Sequence, residues 1–473
     1  MSNALTNMSL FAIAVIINKS ISLIMLPVLP QFLGPEQMGR LELLISFGAI
    51  ASLLVGFALH EALYRYAGVQ KDENIKRILL NQIYSLAFYF SVIFITLFLF
   101  IILFIDIPSP FTKTECLILM FALSLEGVIA IGTAWLRMQD DKAKVLLTIM
   151  VTTTLLQVIF IVIALALWPH IISVLLGGLL AALIQFFWLH YYNNYTISLP
   201  NLALAKNYLY YSSPVMLSGV VSFFLNGAER WFIAANSSLE SLGVYAIAAK
   251  FAFGMCILVQ PFTMWWMPRR FAVLEQDNCK GLEAVRITHL GLIYIAFLTI
   301  VVVTMAYLII HLLLPNTYQQ AALFILFLLP IAMLKEWGEL FNLAILYKRK
   351  TQWLLGINIV AAITAISLLF ALSSLGIFSV FIALYSAQLC RLVLTYWSAQ
   401  ICLCLPYDIS LMVILQVVTG LALFLIYYLQ SLTAAILISL TTSFILLGIA
   451  SKYISNNTFH SLLNSLQKNK KSI

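Results

Sequence analysis

Charge is what this chain has little of. Only 9% of its 473 residues are Asp, Glu, Lys or Arg, where a soluble domain carries about 25%. That scarcity excludes a soluble globular protein of this length. Cysteine is sparse too: Cys116, Cys256, Cys279, Cys390, Cys402 and Cys404, mostly inside apolar runs or on the inner side. Cys402 and Cys404 are separated by one residue and no second pair exists, so neither a disulfide frame nor a zinc site is expected. No glycine-rich phosphate cradle occupies any polar gap, which removes a built-in ATPase, and no cofactor or metal is expected. The formal net charge of +8 is spread over several short loops, with no basic arm and no nucleic-acid motif. Nucleic acid is therefore not an expected partner. A cleavable signal is not expected either, since no basic segment precedes the first apolar run and no small-residue cleavage site follows it.

What the chain does have is apolar length. It is 63% hydrophobic with a mean hydropathy of +1.02. A bilayer needs about 20 apolar residues per crossing helix. Such runs fall at approximately 8–32, 41–66, 82–105, 115–136, 145–167, 172–192, 209–235, 244–267, 284–313, 320–346, 353–373, 377–400, 409–429 and 433–451. The pattern predicts an all-α polytopic membrane protein of about fourteen transmembrane helices.

The cations set its direction. Every second gap holds them: Lys71, Lys76 and Arg77; Arg137, Lys142 and Lys144; Lys206; Arg269, Arg270 and Lys280; Lys348, Arg349 and Lys350; then the tail with Lys452, Lys468, Lys470 and Lys471. The alternate gaps offer only Lys113, with Arg40 at a helix edge. Lys and Arg accumulate in cytoplasmic loops, so both termini are expected inside. Inner-leaflet anionic lipids suit these loop cations.

A weak internal repeat aligns Glu36, Gly39, Phe47, Leu54, Val55 and Arg65 with Glu240, Gly243, Phe251, Leu258, Val259 and Arg269. Both copies run in the same direction, as parallel repeats that rock two bundles around a midplane site do. The expected organisation is a six-helix lobe over 1–207, a second over 208–404, two additional spans over 405–452 and a cytoplasmic tail over 453–473. In that tail Ile454, Phe459, Leu462, Leu463 and Leu466 are near helical spacing. This suits an amphipathic helix on the inner leaflet or a frayed end.

Chemistry in such a chain is read from ionisable residues inside apolar spans, each costing about 2.5–3.5 kcal/mol at mid-bilayer. The cations are Lys19, Arg230, Lys250, Lys335 and Arg391; the acids are Glu126, Glu229, Glu336 and Glu339. Glu61 and Arg65 lie one turn apart at an inner helix end. Cations from both lobes suggest one positively charged central cavity. The plainer reading is local ion pairing, with Glu61–Arg65 and Lys335–Glu339 at i,i+4 spacing. Glu229 and Arg230 point about 100° apart and are expected to serve different partners. Trp265 and Trp266 read as an interfacial anchor, as do Tyr208, Tyr210 and Tyr211, with a sugar-stacking platform as the alternative. Pro27, Pro30, Pro214 and Pro330 are expected to bend their helices.

The run Lys19-Ser20-Ile21-Ser22-Leu23, then Leu26-Pro27, then Phe32-Leu33-Gly34-Pro35-Glu36-Gln37-Met38-Gly39, resembles the opening of the polysaccharide-transport membrane proteins. So do Pro214, the Glu229-Arg230 pair and Gly243-Val244-Tyr245-Ala246 leading to Lys250. That family includes the O-antigen flippases, in a superfamily with multidrug and toxin extruders and lipid II flippases. The resemblance implies matched basic positions at Lys19, Arg230 and Lys250; Glu229 stands where aspartate is expected. It further implies a non-enzymatic exporter in a bacterial inner membrane, moving an undecaprenyl-diphosphate-linked oligosaccharide by alternating access. A polysaccharide polymerase and a chain-length regulator are then candidate partners, and H+ or Na+ a candidate coupling ion. Lys and Arg suit a diphosphate. The alternative is a cation-coupled multidrug extruder of the same superfamily, with Glu126, Glu336 and Glu339 as coupling sites. A membrane enzyme acting on the same lipid is disfavoured by the short outward gaps.

Overall fold

The computed structural model describes residues 25–68, 70–104, 110–139, 142–199, 201–267, 269–276, 281–348 and 350–453. Among them the regular structure is helical. Twelve helices are long and apolar enough to cross a membrane, so this is a multi-pass membrane protein. The chain divides into two compact units, Met1–Ala234 and Ala235–Ile473.

The first unit contains α1 (Pro35–Gly56), α2 (Leu59–Tyr66), α3 (Glu73–Phe104), α4 (Lys113–Arg137), α5 (Ala143–Leu167), α6 (Ile171–Asn193) and α7 (Leu202–Asn226). Gly34 and Pro35 open α1, since a proline at the first helical position gives up an N–H that has no partner there anyway. Its run does not continue straight: Phe57 and Ala58 adopt left-handed φ values of 44° and 49°, splitting the expected span 41–66 into α1 and α2. At the start of α4, the Thr112 hydroxyl accepts from the Glu115 N–H (3.3 Å) and the Glu115 carboxylate accepts from the Thr112 N–H (2.9 Å), a reciprocal cap. Arg40 of α1 meets the same fully buried carboxylate at 2.9 and 2.8 Å.

Helix spacing in this unit is set by small residues. A Cβ at Gly127 would lie 3.3 Å from the Gly56 Cα, so α1 and α4 cross backbone to backbone. One at Gly177 would lie 2.6 Å from Ile161 Cγ1 and 2.9 Å from its backbone nitrogen, which fixes the approach of α5 and α6. Tyr84 stacks on Tyr195 (4.0 Å) and hydrogen-bonds His190 (2.7 Å) within a buried cluster.

Helix α8 (Glu229–Asn236) crosses the unit boundary. Beyond it the second unit holds α9 (Leu239–Trp266), α10 (Arg270–Gln276), α11 (Leu282–Leu313), α12 (Gln320–Phe341), α13 (Leu343–Tyr347), α14 (Thr351–Ala371), α15 (Ile377–Cys402), α16 (Ile409–Leu429) and α17 (Leu432–Tyr453). Helix α12 is its core, packed against α9, α11 and α15. The last two spans belong to this body, with α17 lying along α11. Asp408 caps α16 by accepting from the Ser410 and Leu411 N–H groups (3.0 and 3.3 Å). Its other oxygen accepts from the Tyr453 hydroxyl (3.0 Å), and Arg286 of α11 donates to the Tyr453 carbonyl (2.6 Å).

Several sequence expectations meet the structure here. The contact boundary falls one span later than the lobe boundary at 207/208, because α7 packs on α1, α2 and α3. Trp266 is no interfacial anchor: it is 1% exposed and part of the second unit's interior. Trp265 does lie against a cation, with the Arg269 guanidinium 5.6 Å from its ring. Tyr208 is buried, whereas Tyr210 and Tyr211 are exposed. Pro214 and Pro330 sit inside α7 and α12. Most of the first expected span, and the 454–473 part of the tail, lie outside the described residues.

Candidate functional site

In the first unit, Arg230 enters on the first turn of α8, after the Gly227–Ala228 turn that ends α7. Its Nε donates to the Glu42 carboxylate of α1 (2.9 Å), and Nη1 lies 3.6 Å from Glu229. One turn along α1, Ser46 accepts from the Trp231 indole N–H (2.8 Å). Residues 42 and 46 therefore grip 230 and 231 as a matched pair. Glu42, Ser46 and Glu229 are buried and Arg230 is 22% exposed, facing a cavity of about 390 Å³ with Glu42, Ser46, Ala49 and Gly219.

In the second unit the charges form a chain of contacts. Arg391 of α15 donates through Nη2 to Glu339 of α12 and through Nε to Asn358 of α14 (2.9 Å). The other Glu339 oxygen accepts from Asn342 (3.1 Å), whose own oxygen accepts from the buried Arg270 (2.9 Å). One turn before Glu339, Lys335 is half-buried and makes no hydrogen bond or ion pair among the described residues. Glu336 lies within electrostatic range of the Cys256 thiol of α9 and of Lys335, Glu339 and Arg391. Lys250 is half-buried on α9.

Of the five cations read from the sequence, the structure places Arg230 in the first unit and Lys250, Lys335 and Arg391 in the second; Lys19 lies outside the described residues. Three of the second unit's ionisable side chains, Lys335, Glu336 and Arg391, share one electrostatic neighbourhood. The i,i+4 pairings do not form. Glu339 pairs across helices with Arg391 instead of with Lys335. Glu61 lies 3.6 Å from His60 while Arg65 is exposed at the end of α2. The expectation of different partners for Glu229 and Arg230 holds for the main contact, since Arg230 bonds Glu42, although Glu229 stays within 3.6 Å. Glu126 of α4 faces a separate cavity in the first unit, beside the Ser52 hydroxyl.

Sequence reasoning missed Glu42, Asn342 and Asn358. Glu42 was legible, as an acid one residue inside the apolar run starting at 41. The two asparagines carry no charge and gave no signal. Among the described residues no cluster of three metal-ligating side chains occurs.

Partly buried guanidinium groups, Arg230 in one unit and Arg391 in the other, thus sit among helices long and apolar enough to cross a membrane. The chain matches the family model described as polysaccharide biosynthesis protein over residues 4–272, and it belongs to that family. Its fold is similar to that of the lipid II flippase MurJ in an inward closed conformation, with a TM-score of 0.71 at 14% identity, covering 93% of this chain and 98% of that one. A superfamily transporter from Pyrococcus furiosus, whose binding pocket is described as reversed in polarity, matches with a TM-score of 0.50 at 15% identity over 84% of this chain and 95% of that one. None of the curated proteins compared matches by sequence.

Proposed function

We propose that this protein is a flippase that carries an undecaprenyl-diphosphate-linked oligosaccharide, an O-antigen or other surface-polysaccharide repeat unit, from the inner to the outer leaflet of a bacterial inner membrane. Both termini face the cytoplasm in this reading, and the bundles alternate access to a cationic site. Membership of a polysaccharide biosynthesis family and a fold shared with a lipid II flippase support it. The observation that carries it is Lys335. It lies near the middle of the apolar span Asn316–Tyr347 and makes no ion pair or hydrogen bond among the described residues. An ammonium at that depth needs an anion or water, and a lipid diphosphate supplies the anion.

Arg391, which shares the electrostatic surroundings of Glu336 with Lys335, has Nε and Nη2 engaged, and its Nη1 makes no hydrogen bond among the described residues. In this proposal Glu339 and Glu42 hold their arginines in place until a phosphate takes over, since a guanidinium binds carboxylate and phosphate with the same planar geometry. Lys19 and Lys250 complete the cationic set by family resemblance. Glu336, with a thiol and two cations around it, is the proposed coupling carboxylate for H+ or Na+.

The test is complementation of a strain lacking its own flippase, with Lys335→Ala, Arg391→Ala and Arg230→Ala at matched protein levels. Loss of surface glycan in each supports the proposal. Normal glycan in all three, or gain of drug tolerance without glycan export, contradicts it and favours the multidrug extruder.

A further inference from the structure

The first unit encloses a second cavity, of about 690 Å³, bounded by α1, α4, α5 and α6. Its lining includes Glu126, Thr154, Gln157 and Gln185 alongside apolar side chains. Gln157, Gln185 and Thr154 make no side-chain hydrogen bond among the described residues, and Glu126 is met there only by the Ser52 hydroxyl. Two helices thus bring unbonded polar groups, and a third a carboxylate met by one hydroxyl, to one space inside a membrane-spanning bundle. Polar groups at such depth are retained where water or a ligand answers them.

The chemistry of the lining selects the ligand class. A hard cation takes about six to eight oxygen ligands at close range, and one carboxylate with scattered amides in 690 Å³ is too sparse and too wide for that. An anion needs several cations, and the lining offers one, Arg137 at the inner end of α4. Carboxamides and hydroxyls both donate and accept, and a carboxylate accepts from two neighbouring hydroxyls. That combination fits a polyol, and the volume lies in the range of about 300–1,000 Å³ typical of small-molecule sites.

We infer that this cavity is a carbohydrate subsite, binding uncharged sugar residues of the exported glycan through Gln157, Gln185 and Glu126. It rests on the flippase reading and adds to it the place where sugar identity is read. Arginines and lysines elsewhere recognise the diphosphate common to all such lipids; this cavity recognises what differs between them. A site built to bond hydroxyls rejects a sugar lacking them far more strongly than an apolar pocket does, because its own polar groups are left unpaired.

The experiment uses the full chain in lipid nanodiscs and, as probe, the oligosaccharide released by mild acid from the host's own lipid-linked repeat unit. Saturable binding is expected, weakened about tenfold by each of Gln157→Leu and Gln185→Leu, one lost hydrogen bond apiece. Melting temperatures within a degree or two of wild type keep the reading free of misfolding; Gln157→Glu and Gln185→Glu, which keep polarity and change selectivity, serve if the leucine variants unfold. No binding of the released glycan, or undiminished binding in the variants, overturns the inference. So does saturable sodium binding lost in Glu126→Gln with no glycan binding, which makes the cavity an ion site. Undecaprenyl diphosphate, which carries no sugar, probes the flippase reading separately, so failure of one is visible apart from failure of the other.

Discussion

Removing Glu42 separates a structural arginine from a working one. In wild type the Arg230 Nε lies 2.9 Å from the Glu42 carboxylate, with side chains 22% and 9% exposed. Breaking a buried pair costs about 3–5 kcal/mol, but Glu229 at 3.6 Å remains for Arg230. The loss expected for Glu42→Ala is therefore nearer the value of one charged hydrogen bond, about 1.5–3 kcal/mol. At about 2–4 °C per kcal/mol for a body of this size, the melting temperature should fall by about 3–12 °C. Arg230→Ala should cost at least as much, because it leaves the buried Glu42 carboxylate without its guanidinium. The double variant should recover part of that stability, since neither charge is left alone. Function should not follow. If Arg230 holds the substrate diphosphate, the double variant stays unable to display surface glycan although it folds. Thermal melts of purified protein and glycan display at matched expression read the two quantities. Recovery of normal display in the double variant would refute the reasoning, because Arg230 would then serve only to neutralise Glu42.

Three further outcomes are expected. Thr112→Ala should cost about 1 kcal/mol as a lost helix cap, and Glu115→Gln more, because Arg40 then faces no charge; equal melting temperatures would show that the Arg40 pair contributes nothing. Gly177→Ala should cost about 1–3 kcal/mol by overpacking. Adding Ile161→Ala should rescue it only in part, since the new Cβ also meets the Ile161 backbone nitrogen; full rescue would contradict the backbone-contact account. The Ser410 hydroxyl, with the Tyr453 hydroxyl and the Leu411 and Ser410 N–H groups, holds the Asp408 carboxyl below the usual carboxylate range against the opposing effect of burial. A depressed native pKa contributes stability that is whole above the unfolded value of about 3.9 and is lost as pH falls through the native one. The protection of the amides at the start of α16, taken relative to their intrinsic exchange rate at each pH, should thus fall on acidification below pH 4 in wild type and stay constant in Asp408→Asn.

The transmembrane plan was legible because length and hydropathy alone decide it: each described span expected from 41 to 451 has a helical counterpart. The kink at Phe57–Ala58 was not, since neither residue is one whose chemistry favours a left-handed turn. The ionisable residues were legible as a set, because charge in an apolar run stands out. Their partners were not. Spacing along one helix offers Lys335 to Glu339, but the guanidinium of Arg391, reaching across from α15, takes the carboxylate instead. Which residues of two helices face each other is a property of packing register, and that is not written in either helix by itself. Gln157 and Gln185 escaped for a simpler reason: a search for charge passes over carboxamides, whose significance appears only when the walls around them are known. Trp266 misled because tryptophan beside arginines has the composition of an interfacial anchor, whereas at the end of α9 it is packed into the second unit's interior.

The central claim is that intramembrane cations recognise a lipid diphosphate. Binding of undecaprenyl diphosphate to the purified chain in nanodiscs tests it, with undecaprenol, which lacks the phosphates, as the reference ligand. Saturable binding that soluble pyrophosphate competes away, weakened about tenfold to a hundredfold by Lys335→Ala or Arg391→Ala, is the predicted result. Equal affinity for the two lipids, or binding of the diphosphate unchanged in both variants, would contradict it.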